Sequence, residues 1–215
     1  MSQIWGGAMR VGVDVPRGAC GRQGVTRART RLRCGPMKRL LTVLAMTVAL
    51  SASAEEAGGL TWSAPPEWTA QPARPMRAAT YKVPAAKGDA EDAELAVFYF
   101  GAGQGGAVDA NVKRWVSQFQ KPDGKPVDPD KDAKTKQEKV NGMPVTTVEV
   151  KGTYAGGGPM MGPSTPKPGF KLRGAIVEGP EGALFYKLTG PEKTVNGAEK
   201  GFRKLVESVK PAAKK

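Results

Sequence analysis

An α+β fold, a largely antiparallel sheet of about six strands carrying two packed amphipathic helices, is the class this sequence predicts. Three observations carry it. Two segments repeat apolar residues at the helical period, two pairs of strand-like runs flank short turn signals, and one run, Glu94 to Phe100, is apolar on both of its faces.

Taken in order, Leu60 to Ser63 and Ala79 to Val83 read as short strands, separated by the proline-rich stretch Ala64 to Pro75. In Glu94 to Phe100, Leu95, Val97 and Tyr99 point one way and Ala96, Phe98 and Phe100 the other, as expected of a central strand covered on both sides. Val108, Val112, Trp115, Val116 and Phe119 then fall on one helical face among polar neighbours, which predicts a helix lying on the sheet. Lys121 to Lys134 reads as a solvated charged loop. Thr135 to Val140 and Val145 to Tyr154 flank Asn141-Gly142, a dipeptide suited to the positive φ angles of a tight hairpin turn. The segment 155–169, AGGGPMMGPSTPKPG, breaks all periodicity and predicts a flexible loop. Phe170 to Glu178 and Ala183 to Thr189 form a second hairpin across Gly179 to Gly182. A final helix carries the stripe Val195, Ala198, Phe202, Leu205, Val206 and Val209, with Thr189 and Glu192 spaced as a capping box and Pro211 as its stop. Gly197 inside that helix is unfavourable by about 1 kcal/mol relative to Ala, and nothing in the sequence accounts for it. Trp62, Trp68, Tyr81, Trp115 and Phe119 read as core or core-rim residues.

The sequence ahead of this domain reads differently. Residues 37–54 have the three parts of a secretory signal: Met37, Lys38 and Arg39 as a positive start, the apolar run Leu40 to Leu50, and the A-x-A of Ala52 and Ala54, with cleavage expected before Glu55. The apolar segment is shorter than the roughly 20 residues of a membrane-crossing helix. Residues 1–36 carry seven Arg, no Lys and one acid, whereas residues 55–215 carry 19 Lys and five Arg. This shift in basic type marks residues 1–36 as a non-native extension upstream of a true start at Met37, or else as a long Arg-rich signal n-region. Residues 55–215 are expected to form a single domain.

Charge and cysteine content narrow the functional classes. The chain's formal charge is +13, but residues 55–215 hold 24 basic against 19 acidic side chains, a net of +5 spread along the chain. Nucleic acid is not an expected partner. Both cysteines, Cys20 and Cys34, precede Met37, so the mature chain has no thiol, and the sequence contains no histidine. Ser-His and Cys-His dyads, and nitrogen or thiolate metal sites, are therefore outside its chemistry. Paired carboxylates remain, with Glu91, Asp92 and Glu94 as the cluster to watch.

Three motif matches fail on context. Gly101-Ala102-Gly103-Gln104-Gly105-Gly106 fits G-x-G-x-x-G, but a charged, proline-rich stretch and a hairpin follow where a parallel strand ending in an acid should stand. Asp128, Asp130 and Asp132 have the spacing that opens a calcium loop, yet Ala133 and Lys139 occupy the positions needing Gly and a bidentate Glu. Ser164 and Lys167 fit S-x-x-K, but Pro166 and Pro168 flank the lysine, and the partner motifs are missing. No cofactor or metal is expected. Met160 and Met161, flexible thioethers in a Gly/Pro loop, are the candidate partner contact; a disordered connection is the other reading of that loop.

The start LTWSAPPEW, the strand ELAVFYF leading to a helix with Arg114-Trp115, the hairpins around Asn141-Gly142 and Gly179 to Gly182, and the ending LTGPEKTV…FRKLVESV together resemble exported PsbP-like α/β/α sandwich proteins, in particular their uncharacterised bacterial secreted branch. The resemblance covers most of Leu60 to Lys210 and is one of pattern and order. It implies an accessory subunit and transfers no functional residue. The expectation is an exported, periplasmic or extracellular, non-catalytic binding or accessory module of the cell envelope. It would be monomeric and have an unidentified envelope protein or component as its partner. A carboxylate-based hydrolase or transferase is the alternative.

Overall fold

The computed structural model describes residues 54–156 and 165–213, all within the unit Val48–Lys215. The chain begins with β1 (Glu55–Ala57), turns through Gly58-Gly59 into β2 (Leu60–Trp62), and passes β3 (Thr69–Ala70) to reach β4 (Ala79–Val83) and β5 (Ala93–Tyr99). Helix α1 (Val108–Val116) is followed by β6 (Phe119–Gln120) and, beyond the charged loop, by the hairpin of β7 (Lys134–Val140) and β8 (Met143–Tyr154). The second hairpin pairs β9 (Lys167–Gly179) with β10 (Gly182–Pro191), and the chain ends in α2 (Glu192–Gly197), α3 (Glu199–Ser208) and β11 (Lys210–Pro211).

The main sheet has eight strands, ordered β3-β4-β5-β10-β9-β8-β6, with β7 pairing β8 off that path; a three-stranded sheet β1-β2-β11 accompanies it. Every pairing in both sheets is antiparallel. The expected sheet of about six strands is thus too small, because β3, β6 and the outer sheet are two- or three-residue strands defined by distant partners rather than by a local alternation.

Period-two alternation divides the core in two. On one face Leu95, Val97, Val145, Val177, Leu184, Tyr186 and Leu188 pack against Val195, Phe202 and Leu205 of the C-terminal helices and against Leu60 and Trp62 of β2. On the other, Val148, Val150, Leu172, Ile176 and Phe185 meet Val112, Trp115 and Val116 of α1. Each such side chain contributes roughly 1.5–3 kcal/mol by leaving water. β5 lies inside the sheet between β4 and β10, which is why both of its faces are apolar. Trp115 and Phe202, the central members of the two helical stripes, are both buried. Gly174 is required beneath α1: a Cβ there would stand 2.4 Å from the Trp115 ring.

Four local expectations are corrected. Phe119 belongs to β6 rather than to α1, and pairs with Tyr154. The C-terminal helix is two helices, α2 and α3, joined at Ala198, and Gly197 marks the break. The Thr189/Glu192 capping box does not form. Thr189 is still in β10, opposite Glu94, with its Oγ1 buried and without a hydrogen-bond partner among the described residues. Asp89 from the β4–β5 connection caps α2 instead, accepting the Thr194 amide at 2.8 Å and its hydroxyl at 2.5 Å. Finally, Lys167–Gly169 of the expected 155–169 loop already belong to β9, with Lys167 opposite Tyr154. Pro211 lies past the end of α3, in β11.

Candidate functional site

The register of three strands sets a row of alternating charge: Lys134 of β7 faces Glu149 of β8, and Glu149 faces Arg173 of β9. Opposite charges directly across a sheet support one another. Arg173 points to the α3 face of the sheet and is buried, so its guanidinium needs anions brought to it. Nη2 donates to Glu149 Oε1 at 2.8 Å and Nη1 to Glu199 Oε1 of α3 at 2.9 Å. Lys171 holds the other oxygen of Glu149 at 2.8 Å, and Arg203 lies 3.5 Å from Glu199. Arg173 Nε is buried and unpartnered among the described residues.

Around this bridge the β7–β8 hairpin and α3 enclose a cavity of about 380 Å3. Phe202 and Val206 give it an apolar side, and Lys136, Arg203, Glu138 and Glu207 line it with charge. Asn141 holds its walls together. It sits in the hairpin turn with φ 49°, beside Gly142 at 82°, as the Asn-Gly dipeptide predicted. Its Nδ2 also donates to the carbonyls of Glu207 (3.0 Å) and Val209 (2.7 Å) at the end of α3.

The chemistry open to this cavity follows from the state of its acids. Arg173, first by hydrogen bonding and then by its charge, holds the Glu199 carboxyl below its ordinary value of 4.5. A general acid needs the opposite shift, upward toward the working pH. Glu149 spends one oxygen on Arg173 and the other on Lys171. Glu149 and Glu199 thus stand in the cavity as fixed, compensated charges beside its apolar wall.

The acids singled out in the sequence do not gather. Glu91 pairs with Lys167, Asp92 with Lys82, and Glu94 with Arg74 and Arg77. Asp92 is held below the usual carboxylate range by the Lys82 hydrogen bond and then by the Ala85 amide. In the Asp128–Asp132 loop, carboxylates turn inward: Asp128 accepts the Asp130 amide, while Asp132 accepts the Asp128 amide and binds Lys121 at 2.7 Å. Among the described residues no three acids, Cys or His are grouped as a metal requires. The glycine run 101–106 is a connection from β5 to α1, in which Asn111 Nδ2 donates to the Gly105 carbonyl. β5 has only antiparallel neighbours, so no dinucleotide unit is built there. Ala54 is exposed and Glu55 opens β1. Ala52, Met160, Met161 and Ser164 lie outside the described residues, as do residues 1–36.

The sequence reading does not single out Arg173 or Lys187. Each is a cation inside an apolar strand, FKLRGAIV and ALFYKLT, and that interruption is the signal that marks them.

No protein-family profile matches the chain, and no curated protein matches it. Solved structures do. Protein PA94 from Pseudomonas aeruginosa, of unknown function, is similar at 15% identity over 75% of this chain and 98% of its own, with a TM-score of 0.41. Cyanobacterial PsbP from Synechocystis sp. PCC 6803 is similar at 10% identity over 74% of this chain and 93% of its own, with a TM-score of 0.44. The PsbP likeness implied by the order of elements is thus found among solved structures; at this identity and score it bears on no functional statement. Among the described residues no helix is long and apolar enough to cross a membrane.

Proposed function

We propose that this protein is an exported, non-catalytic binding or accessory module of the cell envelope, and that the cavity between α3 and the β7–β8 hairpin is its contact site. One observation carries the binding reading: the cavity's two central acids, Glu149 and Glu199, are both committed to Arg173. A carboxylate hydrolase or transferase needs one acid free to give up a proton and another free to take one or attack, and this bridge ties up the two acids that meet Arg173. Export rests on the leader formed by residues 37–54 and the expected cleavage before Glu55.

Site-specific photocrosslinking tests the contact. With a photoreactive residue at Arg203 or Lys136 in envelope fractions, a discrete adduct should form, and the same probe at exposed Lys87, remote in sequence, should not give it. Equal adducts from all three positions would remove the cavity from the proposal. Turnover of ester or glycoside substrates that is lost in Glu149→Gln and Glu199→Gln would replace the binding reading with the hydrolytic one. Intact mass of the exported form should begin at Glu55; a form retaining Met1 would overturn the export reading.

A further inference from the structure

The opposite face of the sheet carries a cluster unrelated to this cavity. Lys187, at the middle of β10, is half-buried between Ala96 of β5 and Gly174 of β9. Its Nζ donates to Gln118 Oε1 at 2.6 Å and to the Tyr154 hydroxyl at 3.4 Å, and it lies 5.4 Å from the centre of the Tyr154 ring. These partners are neutral. Among the described residues no carboxylate is within ion-pair distance of Lys187 or of Arg114 on α1, whose guanidinium meets the side-chain oxygen of Asn111. The nearby acid, Glu94, is shared between Arg74 at 3.0 Å and Arg77 at 2.7 Å. The charges acting on Lys187 are thus two cations, Arg77 and Arg114, against one anion, Glu94.

A desolvated amine beside other cations is the arrangement that turns a lysine into a nucleophile. The charged and titratable groups acting on it are Arg77 before β4, Glu94 of β5, Arg114 of α1 and Tyr154 of β8. Burial first, then Arg77, brings the Lys187 amine down from its ordinary 10.5 to about 8, with Glu94 opposing. At pH 7 this gives on the order of a hundredfold more neutral amine than an ordinary lysine holds.

We infer that Lys187 is a carbamylation site: its amine adds carbon dioxide to form a carbamate anion, which the Arg77 and Arg114 guanidiniums stabilise. The amine lone pair forms the new N–C bond, one C=O π pair moves onto oxygen, and the nitrogen releases a proton to solvent. The product replaces a half-buried cation with an anion beside the cations Arg77 and Arg114. The Tyr154 hydroxyl, and the Gln118 amide after rotation, can donate to its oxygens. The inference is independent of the α3 cavity and of export.

The test uses the full chain in buffer containing 13C-labelled bicarbonate at pH 8, trapped with a trialkyloxonium salt and mapped by peptide mass spectrometry. Trapped label at Lys187, which has no carboxylate partner among the described residues, should exceed that at Lys167 and Lys171, which are ion-paired with Glu91 and Glu149, by roughly tenfold or more. Lys187→Met should lose it, and Arg114→Gln, which leaves the amine in place, should weaken it severalfold. In parallel, the melting temperature should rise in carbon dioxide over carbon dioxide-free buffer. That rise should be absent in Lys187→Arg, which keeps the charge if Lys187→Met does not fold. Label spread evenly over the exposed lysines, or an equal thermal shift with sulfate at the same ionic strength, would overturn the inference.

Discussion

At Asn141 two demands meet in one side chain. The turn requires a positive φ, which Asn and Gly adopt more readily than other residues, and the end of α3 requires donors for its last carbonyls. Asn141 supplies both. Asn141→Ala should therefore cost about 1–3 kcal/mol in urea unfolding, from strain and two lost hydrogen bonds together. Asn141→Gly, which keeps the backbone freedom, should lose only the hydrogen-bond part. Equal losses in the two variants would show that the turn geometry contributes nothing. Arg173 gives a second residue-level prediction, in pH. Because the folded state holds Glu199 below its ordinary 4.5, that carboxylate contributes stability that is fully present above the unfolded value and disappears as pH falls through the folded one. Thermal melts of the parent between pH 6 and 3 should fall more steeply than those of Glu199→Gln; parallel curves would mean that the Arg173 bridge to Glu199 adds no stability.

Element by element, α2 and α3 show why a single helix was read where two exist. Their apolar residues share one stripe, and the break at Gly197–Ala198 keeps both segments on the same side of the sheet, so periodicity alone has no way to see it. Gly197 is exposed, has no left-handed φ, and a Cβ there would meet nothing within 4 Å. Gly197→Ala should consequently stabilise by about 0.4–1 kcal/mol, by restricting the unfolded chain. A loss of stability in urea would instead show that the joint needs glycine's freedom. Asp89→Ala should cost about 0.5–2 kcal/mol by uncapping α2, whereas Thr189→Val should cost less, because the Thr189 hydroxyl has no hydrogen bond to lose among the described residues. If Thr189→Val proves the more damaging, the cap has been misassigned. The same contrast explains what could be read from the chain. β4, β5, α1 and the Asn141-Gly142 turn are set by neighbours within a few residues, and their patterns announced them. Asp89 capping Thr194, Phe119 pairing with Tyr154, and Glu199 reaching Arg173 join residues far apart in the chain, and no local period encodes such meetings. The α3 cavity was invisible for that reason, although Arg173 interrupting an apolar strand was a legible hint.

On the scale of the whole molecule, the outer sheet ties the two ends of the described domain together. β2 is the middle strand of three: β1 pairs it on one side, with Glu55 opposite Trp62, and β11 on the other, with Lys210 opposite Thr61. The inward side chains of β2, Leu60 and Trp62, are almost completely buried, and the Trp62 indole donates to the Tyr81 hydroxyl at 2.9 Å while meeting Tyr186 edge-on. Beyond β11 the Ala212 amide donates to the Gly59 carbonyl at 2.8 Å. A chain ending at Val209 would lose these pairings and leave β2 with one neighbour. The loss should be about 1–2 kcal/mol, or roughly 2–8 °C in melting temperature for a domain of this size. A chain ending at Ser208 removes Val209 as well, which has no exposed surface, and should lose about a further 1.5–3 kcal/mol. Calorimetry of the two truncations against the parent separates the contributions. A chain ending at Val209 that melts with the parent would show that the small sheet follows the fold without supporting it. The graded loss would instead make the last strand part of what holds Trp62 against the core, and with it the face on which α3 and its cavity rest.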